Sequence, residues 1–476
     1  MQKLISLFKK HTGHTGKGKP TIEALPSSGS NRRYYRLQSE GISLIGVHGQ
    51  SKEENLAFIE LSKHFHSQRL NVPKVIKVSN DLHYYLQEDL GDTVLFDAIK
   101  AGRNTGVFSH GEIDLLHKTI AKLADFQVEG AKELNFDVCY PQPEFNERSV
   151  YWDLNYFKYS FLKTTGMEFQ ENLLEDDFQR MTQKLLEDKT NTFLYRDFQS
   201  RNVMLVDGEP YFIDFQGGRK GPVYYDVASF LWQAKANFPD ELRSELIDTY
   251  INALNKHYPV DKNYFLEQLR HFVLFRTLQV LGAYGFRGYF EKKPHFLQSV
   301  PFALNNLREI LKSDFPEYPY LCKVMHEMIN LQQFADTRKD ELEVRVVSFA
   351  YKKGIPSDPS GNGGGYVFDC RAINNPGKFE RFNNVTGLDE PVIEFFKEDG
   401  EMDVYLESIY KLVNSHVKRY IDRSFTHLMI SFGCTGGQHR SVYASQRIAE
   451  HISRKFGVKV SLIHREQNLE QVFKKQ

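Results

Sequence analysis

Two short segments of this chain carry residue types and spacings that could do chemistry. The first reads Phe193-Leu-Tyr-Arg-Asp197-Phe-Gln-Ser-Arg-Asn202-Val-Met-Leu, with Tyr211-Phe-Ile-Asp214-Phe-Gln downstream. Asp197 and Asn202 have the spacing of a phosphoryl-transfer loop. There Asp197 would orient an attacking hydroxyl and accept its proton. Asn202 and Asp214 would hold the Mg²⁺ that bridges the phosphates of ATP, because carboxylate and amide oxygens are hard ligands suited to that ion. An aspartate alone means little, since it favours turns anyway; three groups in register mean more.

The second segment is Thr426-His-Leu-Met-Ile-Ser-Phe-Gly, an apolar strand running into Cys434-Thr435-Gly436-Gly437-Gln-His439-Arg440-Ser441, where a helix begins. A glycine turn between a buried strand and a helix start offers several N–H donors to an anion, and an arginine adds a charged fork. Thr435, Gly436, Gly437, His439, Arg440 and Ser441 are the candidate phosphate-binding residues, with Lys352 and Arg371 as further cations. Cys434 and Arg440 also have the Cys-x5-Arg spacing of cysteine phosphatases, in which a thiolate attacks phosphorus. A third segment, Gly13-His-Thr-Gly-Lys-Gly18-Lys19, has nucleotide-loop spacing but ends in Pro20. Without a hydroxyl for the metal, and with a proline in place of a donor, that cradle fails. Residues 1–20 are expected as a flexible basic tail.

These segments need elements to position them, and the chain has ample length. Its 476 residues are about three times a typical domain, which implies at least two units. Lys plus Arg (61) balance Asp plus Glu (61), so no global field attracts nucleic acid or anionic lipid. The four cysteines are scattered, without a Cys-x-x-Cys pair, which fits neither a disulfide framework nor structural zinc. There is no signal-like h-region and no run near the roughly 20 apolar residues of a membrane span. The reading is a cytoplasmic protein without a membrane partner.

Residues 21–93 alternate as strands around one helical stretch, a small β-rich lobe. Helical periodicity dominates 94–335, interrupted by the β-rich segment that holds Asp197 and Asp214. After a charged stretch, strands and helices alternate over 342–476. The expected fold class is therefore an α+β bilobal protein-kinase-like domain followed by a separate α/β domain.

The Asp197 loop, the Asp214-Phe-Gln triplet and Gly221-Pro-Val-Tyr-Tyr-Asp226-Val-Ala-Ser resemble the aminoglycoside/choline phosphotransferase superfamily. Ser30-Asn31-Arg32-Arg33-Tyr-Tyr-Arg36, Glu88-Asp-Leu-Gly91 and Arg276-Thr-Leu-Gln279-Val-Leu-Gly282 extend the likeness to bacterial anomeric kinases of N-acetylmuramate and N-acetylglucosamine. That resemblance implies ATP and Mg²⁺ as cofactors and an amino sugar of cell-wall recycling as substrate. It also implies a nucleotide site around Ser30, Asn31, Arg32, Arg33 and Glu88, with Asp226 bracing the loop from behind. Two positions depart from kinase patterns: Tyr195 stands where such kinases usually have histidine, and the strand Gly41–Gly49 lacks a phosphate-binding lysine. Arg32 or Arg33 could supply that charge; the alternative is an arginine pair on the surface of a hairpin.

The Cys434–Ser441 segment, with Phe349-Ala-Tyr-Lys352-Lys-Gly354, Phe368-Asp369-Cys-Arg371 and Thr386-Gly387-Leu-Asp389, resembles the C-terminal domain of RapZ-type RNase adapter proteins. This implies a sensor for glucosamine-6-phosphate rather than a phosphatase, and in some bacteria RNA binding. The basic end Phe473-Lys474-Lys475-Gln476 is thin support for RNA. Two rivals to the sugar kinase stay open. One is an adapter that contacts RNA or a protein; the other is a kinase of choline, an aminoglycoside or another small alcohol.

Overall fold

The computed structural model describes residues 1–12, 20–25, 32–188, 191–331, 342–360, 364–422 and 425–473. The chain divides into two compact units, Met1–Ala335 and Asp336–Gln476.

The first unit opens with an antiparallel sheet of β1 (Thr21–Ala24), β2 (Arg33–Ser39), β3 (Ile42–His48), β4 (Val75–Val78) and β5 (Tyr84–Glu88), in the order β1-β2-β3-β5-β4. Helix Lys52–Ser67 starts at Ser51, whose hydroxyl accepts the N–H of Glu54, a standard N-cap. Its inner face joins the lobes through ring contacts: Phe58 stacks on Phe215 at 4.9 Å, and Phe65 meets Phe126 tilted at 4.6 Å.

One expectation is corrected here. Part of the supposed tail, Gln2–Thr12, is a helix whose Leu4, Leu7 and Phe8 are buried against Leu37, Leu44 and Leu86 of the sheet. A helix of this length is marginal alone, but each such side chain stabilises by about 1.5–3 kcal/mol when buried. Packing therefore decides what the polar composition concealed. Residues 13–19 lie outside the described residues.

The helical part carries two small sheets, β6 (Thr192–Leu194) with β9 (Arg219–Gly221), and the hairpin of β7 (Val203–Val206) and β8 (Glu209–Phe212). Helix Lys262–Gly285 runs through the core. Gly282 and Gly285 let the backbone of residues 156–161 approach it: a Cβ at either would lie 2.7 Å from Phe157 N or 2.1 Å from Ser160 O.

The second unit is α/β, as its alternating pattern implied. Strands β10 (Glu343–Ala350), β11 (Tyr366–Asp369), β12 (His427–Cys434), β13 (Lys459–His464) and β14 (Leu469–Phe473) lie in the order β11-β12-β10-β13-β14. All pairs are parallel except β13 with β14. Val346 and Val347, successive residues of β10, are both buried, as in a sheet covered on two faces. Adjacent strands β10 and β12 send the chain in opposite directions, to β11 and to β13. Ligands of open α/β sheets bind outside the strand ends at such a point.

Candidate functional site

In the first unit Asp197 follows the end of β6, and helix Tyr224–Leu231 fixes its backbone. The two carboxylate oxygens of Asp226 accept the N–H groups of Tyr195 at 2.7 Å and Arg196 at 2.8 Å, and one also accepts Gln127 Nε2 at 2.8 Å. Arg196 has φ +81, a conformation costly for a side-chain-bearing residue and held only where surroundings over-determine it. Asp226 supplies that constraint, together with Asp153, which pairs with the Arg196 guanidinium at 2.7 Å. Burial pushes the Asp226 carboxyl up to about 7 against the pull of these donors. Tyr195 is buried, and its hydroxyl donates to the Ile213 carbonyl. The residue that replaces histidine thus ties the loop to the segment leading into Asp214.

The three motif residues converge. Asn202 donates Nδ2 to the Asp197 carbonyl at 2.9 Å and accepts the Ile213 N–H at its own carbonyl at 3.0 Å. With its amide nitrogen so used, the side-chain oxygen of Asn202 is the atom left for a cation. Asp214, at φ +66, is next to Ile213 and accepts Gln216 Nε2 at 2.6 Å. Burial, then the Asp197 carboxylate, pushes the Asp214 carboxyl up, a charge conflict that a bound cation would relieve. Asp214 and Asn202 therefore fit a hard divalent ion, although no group of three or more His, Cys, Asp or Glu suited to a metal occurs among the described residues.

The cations divide unevenly. Arg32 is 2% exposed, donates to the Glu54 carbonyl at 3.0 Å, pairs with its carboxylate, and lowers the Asp214 carboxyl by its charge. Arg33 opens β2 on the exposed side. Of the two open readings, Arg32 belongs inside and Arg33 on the surface. Glu88 ends β5, exposed, accepting the Lys74 N–H at 3.3 Å; no contact among the described residues ties it to Asp197. Ser30 and Asn31 lie outside the described residues. Sequence spacing missed Arg276, whose Nη2 sits 3.6 Å from Asp197 Oδ1 while Nε donates to Ser229 Oγ at 3.1 Å. It arrives from a distant helix, so the Arg276–Gly282 segment that carries part of the resemblance gave no sign of its nearness to Asp197.

In the second unit the candidate anion residues gather at the carboxyl ends of β10, β11 and β12. Gly437 takes φ +68 and donates its N–H to Cys434 Sγ at 3.1 Å; Ser441 Oγ lies 3.2 Å from the same sulfur. Thr435 and Gly436 are exposed at the rim. The helix Arg440–Phe456 has no side-chain cap at its start, leaving first-turn N–H groups for another acceptor.

Two of these side chains already have partners within the protein. Arg440 is 5% exposed, and its Nη1 donates to the carbonyls of Arg371 and Ile373, both at 2.9 Å. Only the other edge remains: Nη2 is 3.5 Å from Thr435 Oγ1, and Nε has no hydrogen-bond partner among the described residues. His439 is buried, with Nε2 at 2.9 Å from the Phe382 carbonyl, which ties the loop to the segment holding Phe382. Lys352 is exposed, and Arg371 pairs with Asp369 at 2.6 Å beside the Tyr351 ring. Glu466, missed by spacing, underlies the loop, accepting the Ala350 N–H at 3.2 Å and pairing with Lys353 at 2.6 Å.

Comparison with known proteins agrees with this division. The family described as "Phosphotransferase enzyme family" matches residues 21–262, and the RapZ C-terminal domain matches 342–468. A nucleotide-binding protein of Xylella fastidiosa is 34% identical over 134 residues, 28% of this chain and 44% of that protein. The chain thus spans under half the length of that curated relative. A nucleotide-binding protein of Histophilus somni is 30% identical over 237 residues, 48% of this chain and 77% of its own. Among solved structures, choline kinase of Cryptosporidium parvum overlaps at TM-score 0.45 and 10% identity, covering 71% of this chain and 99% of its own. A choline/ethanolamine kinase family protein of Mesorhizobium loti overlaps at 0.44 and 11%, covering 68% and 98%. Overlaps that low add no weight to the family match. Among the described residues no helix is long and apolar enough to cross a membrane. With residues 21–262, half of its length, matched, the chain belongs to the phosphotransferase enzyme family and carries a RapZ C-terminal domain after it.

Proposed function

We propose that the first unit phosphorylates an amino sugar from ATP, at the anomeric hydroxyl of N-acetylmuramate or N-acetylglucosamine, and that the second unit binds a hexosamine phosphate that tunes it. The observation that carries the kinase reading is the convergence of Asp197, Asn202 and Asp214, with Arg276 beside Asp197 and Arg32 acting on Asp214. Asp197 takes the acceptor proton; its side chain is half exposed, with Oδ1 accepting Gln199 Nε2 at 2.5 Å. Asn202 and Asp214 hold Mg²⁺, which neutralises charge on the transferring phosphoryl group when bound. Arg32, with Ser30, Asn31 and Glu88, belongs to the nucleotide side.

In the second unit the N–H groups near Thr435 to Gln438 and the Nε/Nη2 edge of Arg440 receive the phosphate. Lys352 and Arg371 add charge at the rim. Amino-sugar supply for the cell wall is then the shared theme of the two halves. The test is a nucleotide-consumption screen over amino sugars and small alcohols, with products identified by phosphorus NMR. An anomeric phosphate is the expected product. A choline or aminoglycoside phosphate would redirect the substrate, and no turnover with any acceptor would favour the adapter reading.

A further inference from the structure

Two of the four buried free cysteines stand side by side beneath the anion loop. β11 runs parallel to β12 with Asp369 opposite Gly433, and the Cys370 N–H donates to the Gly433 carbonyl at 2.8 Å. That bond closes the last pair of the ladder, so Cys370 and Cys434 are the residues that follow it on two neighbouring chain segments. Neighbouring strands of a sheet lie about 4.8 Å apart, and the two cysteines leave the last pair from that spacing, comparable with the roughly 4.4–6.8 Å Cα separation that a disulfide spans. Both thiols face the helical layer: Cys434 Sγ meets Ser441 of helix Arg440–Phe456, and Cys370 meets Tyr405 of helix Glu401–Asp422. Both belong to one apolar core.

Their surroundings differ. Cys434 is at the floor of the loop, and its sulfur accepts the Gly437 N–H. Burial, then the neighbouring Cys434, pushes the Cys370 thiol well up, so Cys370 stays protonated. Cys434 is the sulfur placed to attack, and Cys370 the one placed to resolve.

We propose that Cys434 and Cys370 are a modification site that closes to a reversible disulfide under hydroperoxide and thereby disables the anion loop. In the first step the Cys434 sulfur, giving up its proton to solvent, attacks one oxygen of hydrogen peroxide. An S–O bond forms, the O–O bond breaks, and hydroxide leaves to be protonated to water, giving a sulfenic acid. In the second step Cys370 sulfur attacks Cys434 Sγ. The S–S bond forms, the S–O bond breaks, and the Cys370 proton leaves with the hydroxyl as water. Two thiols and one peroxide give one disulfide and two waters. Closing the bond draws Cys434 Sγ along the sheet, away from the Gly437 N–H and Ser441 Oγ that fold the loop around it. The disulfide needs no reading of what the loop binds; the loss of anion binding rests on the sugar-phosphate reading above.

The experiment uses the full chain, reduced, desalted without oxygen, exposed to hydrogen peroxide, denatured, alkylated and digested without reductant. The expected result is a Cys370–Cys434 crosslinked peptide, with Cys139 and Cys322 alkylated, and full reversal by dithiothreitol. In Cys370→Ser the same treatment should leave a sulfenic acid at Cys434, trapped by dimedone. Titration of glucosamine-6-phosphate should give an affinity lower by about tenfold or more in the oxidised protein, restored by reductant. Alkylated Cys370 and Cys434 after peroxide, or a sulfinic Cys434 beside an alkylated Cys370, overturns the disulfide. That map is read on the wild-type chain, so it survives a variant that does not fold. A crosslink with unchanged affinity overturns the effect on the loop. A crosslink in a protein whose reduced form binds no sugar phosphate removes the anion reading and leaves the disulfide standing.

Discussion

The two candidate sites are built by different means. Around Asp197 the working groups are side chains drawn from separate segments, with Asp226 and Asp153 holding the strained Arg196 in place. Around Cys434 one strand, one turn and one helix start provide backbone N–H groups, and Arg440 spends half of its guanidinium on carbonyls. The first arrangement is exacting about side-chain identity. The second is exacting about backbone direction, and tolerant of side chains that merely stand nearby.

The largest expected effect tests the first half of that contrast. Asp197→Asn should lower turnover by about 10²–10⁴-fold while leaving nucleotide binding largely intact, since the residue works on the acceptor proton and not on the metal. Asp214→Asn should instead lose Mg²⁺-dependent nucleotide binding, measured by titration. Near wild-type turnover in Asp197→Asn would show that the catalytic loop is misassigned.

Smaller effects should separate the glycines of the second loop. A Cβ at Gly437, already at φ +68, would lie 2.4 Å from Glu466 Cγ and 2.9 Å from Ala350 N. The left-handed backbone alone costs about 1–2 kcal/mol for another residue. Gly437→Ala should therefore abolish glucosamine-6-phosphate binding in calorimetric titration. At Gly436 a Cβ meets nothing within 4 Å, so Gly436→Ala should bind like wild type. Equal losses at both positions would mean that the backbone path is not what the ligand reads.

Arg440→Ala should weaken the same binding by about tenfold or more, because a charge-assisted contact is worth roughly 1.5–3 kcal/mol. Cys434→Ser should keep binding in the absence of peroxide. Cys434-dependent release of inorganic phosphate would make the loop a phosphatase and break the comparison.

The two units should also answer pH in opposite senses. Asp226 has a folded value near 7 against an ordinary 3.8, so the native state holds the proton more tightly than the unfolded chain. Its contribution to stability falls as pH rises from about 4 to about 7. His464, buried and 2.9 Å from Ser348 Oγ, is lowered by burial from 6.5 to about 4. There the native state resists the proton, and stability is lost as pH falls through that window, on the order of 3 kcal/mol in all. Calorimetry from pH 4.5 to 6.5 should show each slope flattened by its own variant, Asp226→Asn or His464→Gln. Unchanged slopes would remove these groups from the account.

What the sequence by itself determined is local. The convergence of Asp197, Asn202 and Asp214 was legible because the three fall at short spacing on one loop and the turn after the next hairpin. The strand-glycine-helix segment was legible for the same reason, as was the alternation that makes the second unit α/β. Contacts between distant segments were decided only by the tertiary structure. It placed Arg32 inside and Arg33 outside, brought Arg276 to Asp197, and folded residues 2–12 onto a sheet face. It also turned half of Arg440 toward carbonyls and set Cys370 beside Cys434. The physical reason is that spacing along a chain specifies which side chains share a turn. Burial, hydrogen-bond satisfaction and strand register, each settled by the rest of the fold, specify which of those side chains remain free to meet a ligand.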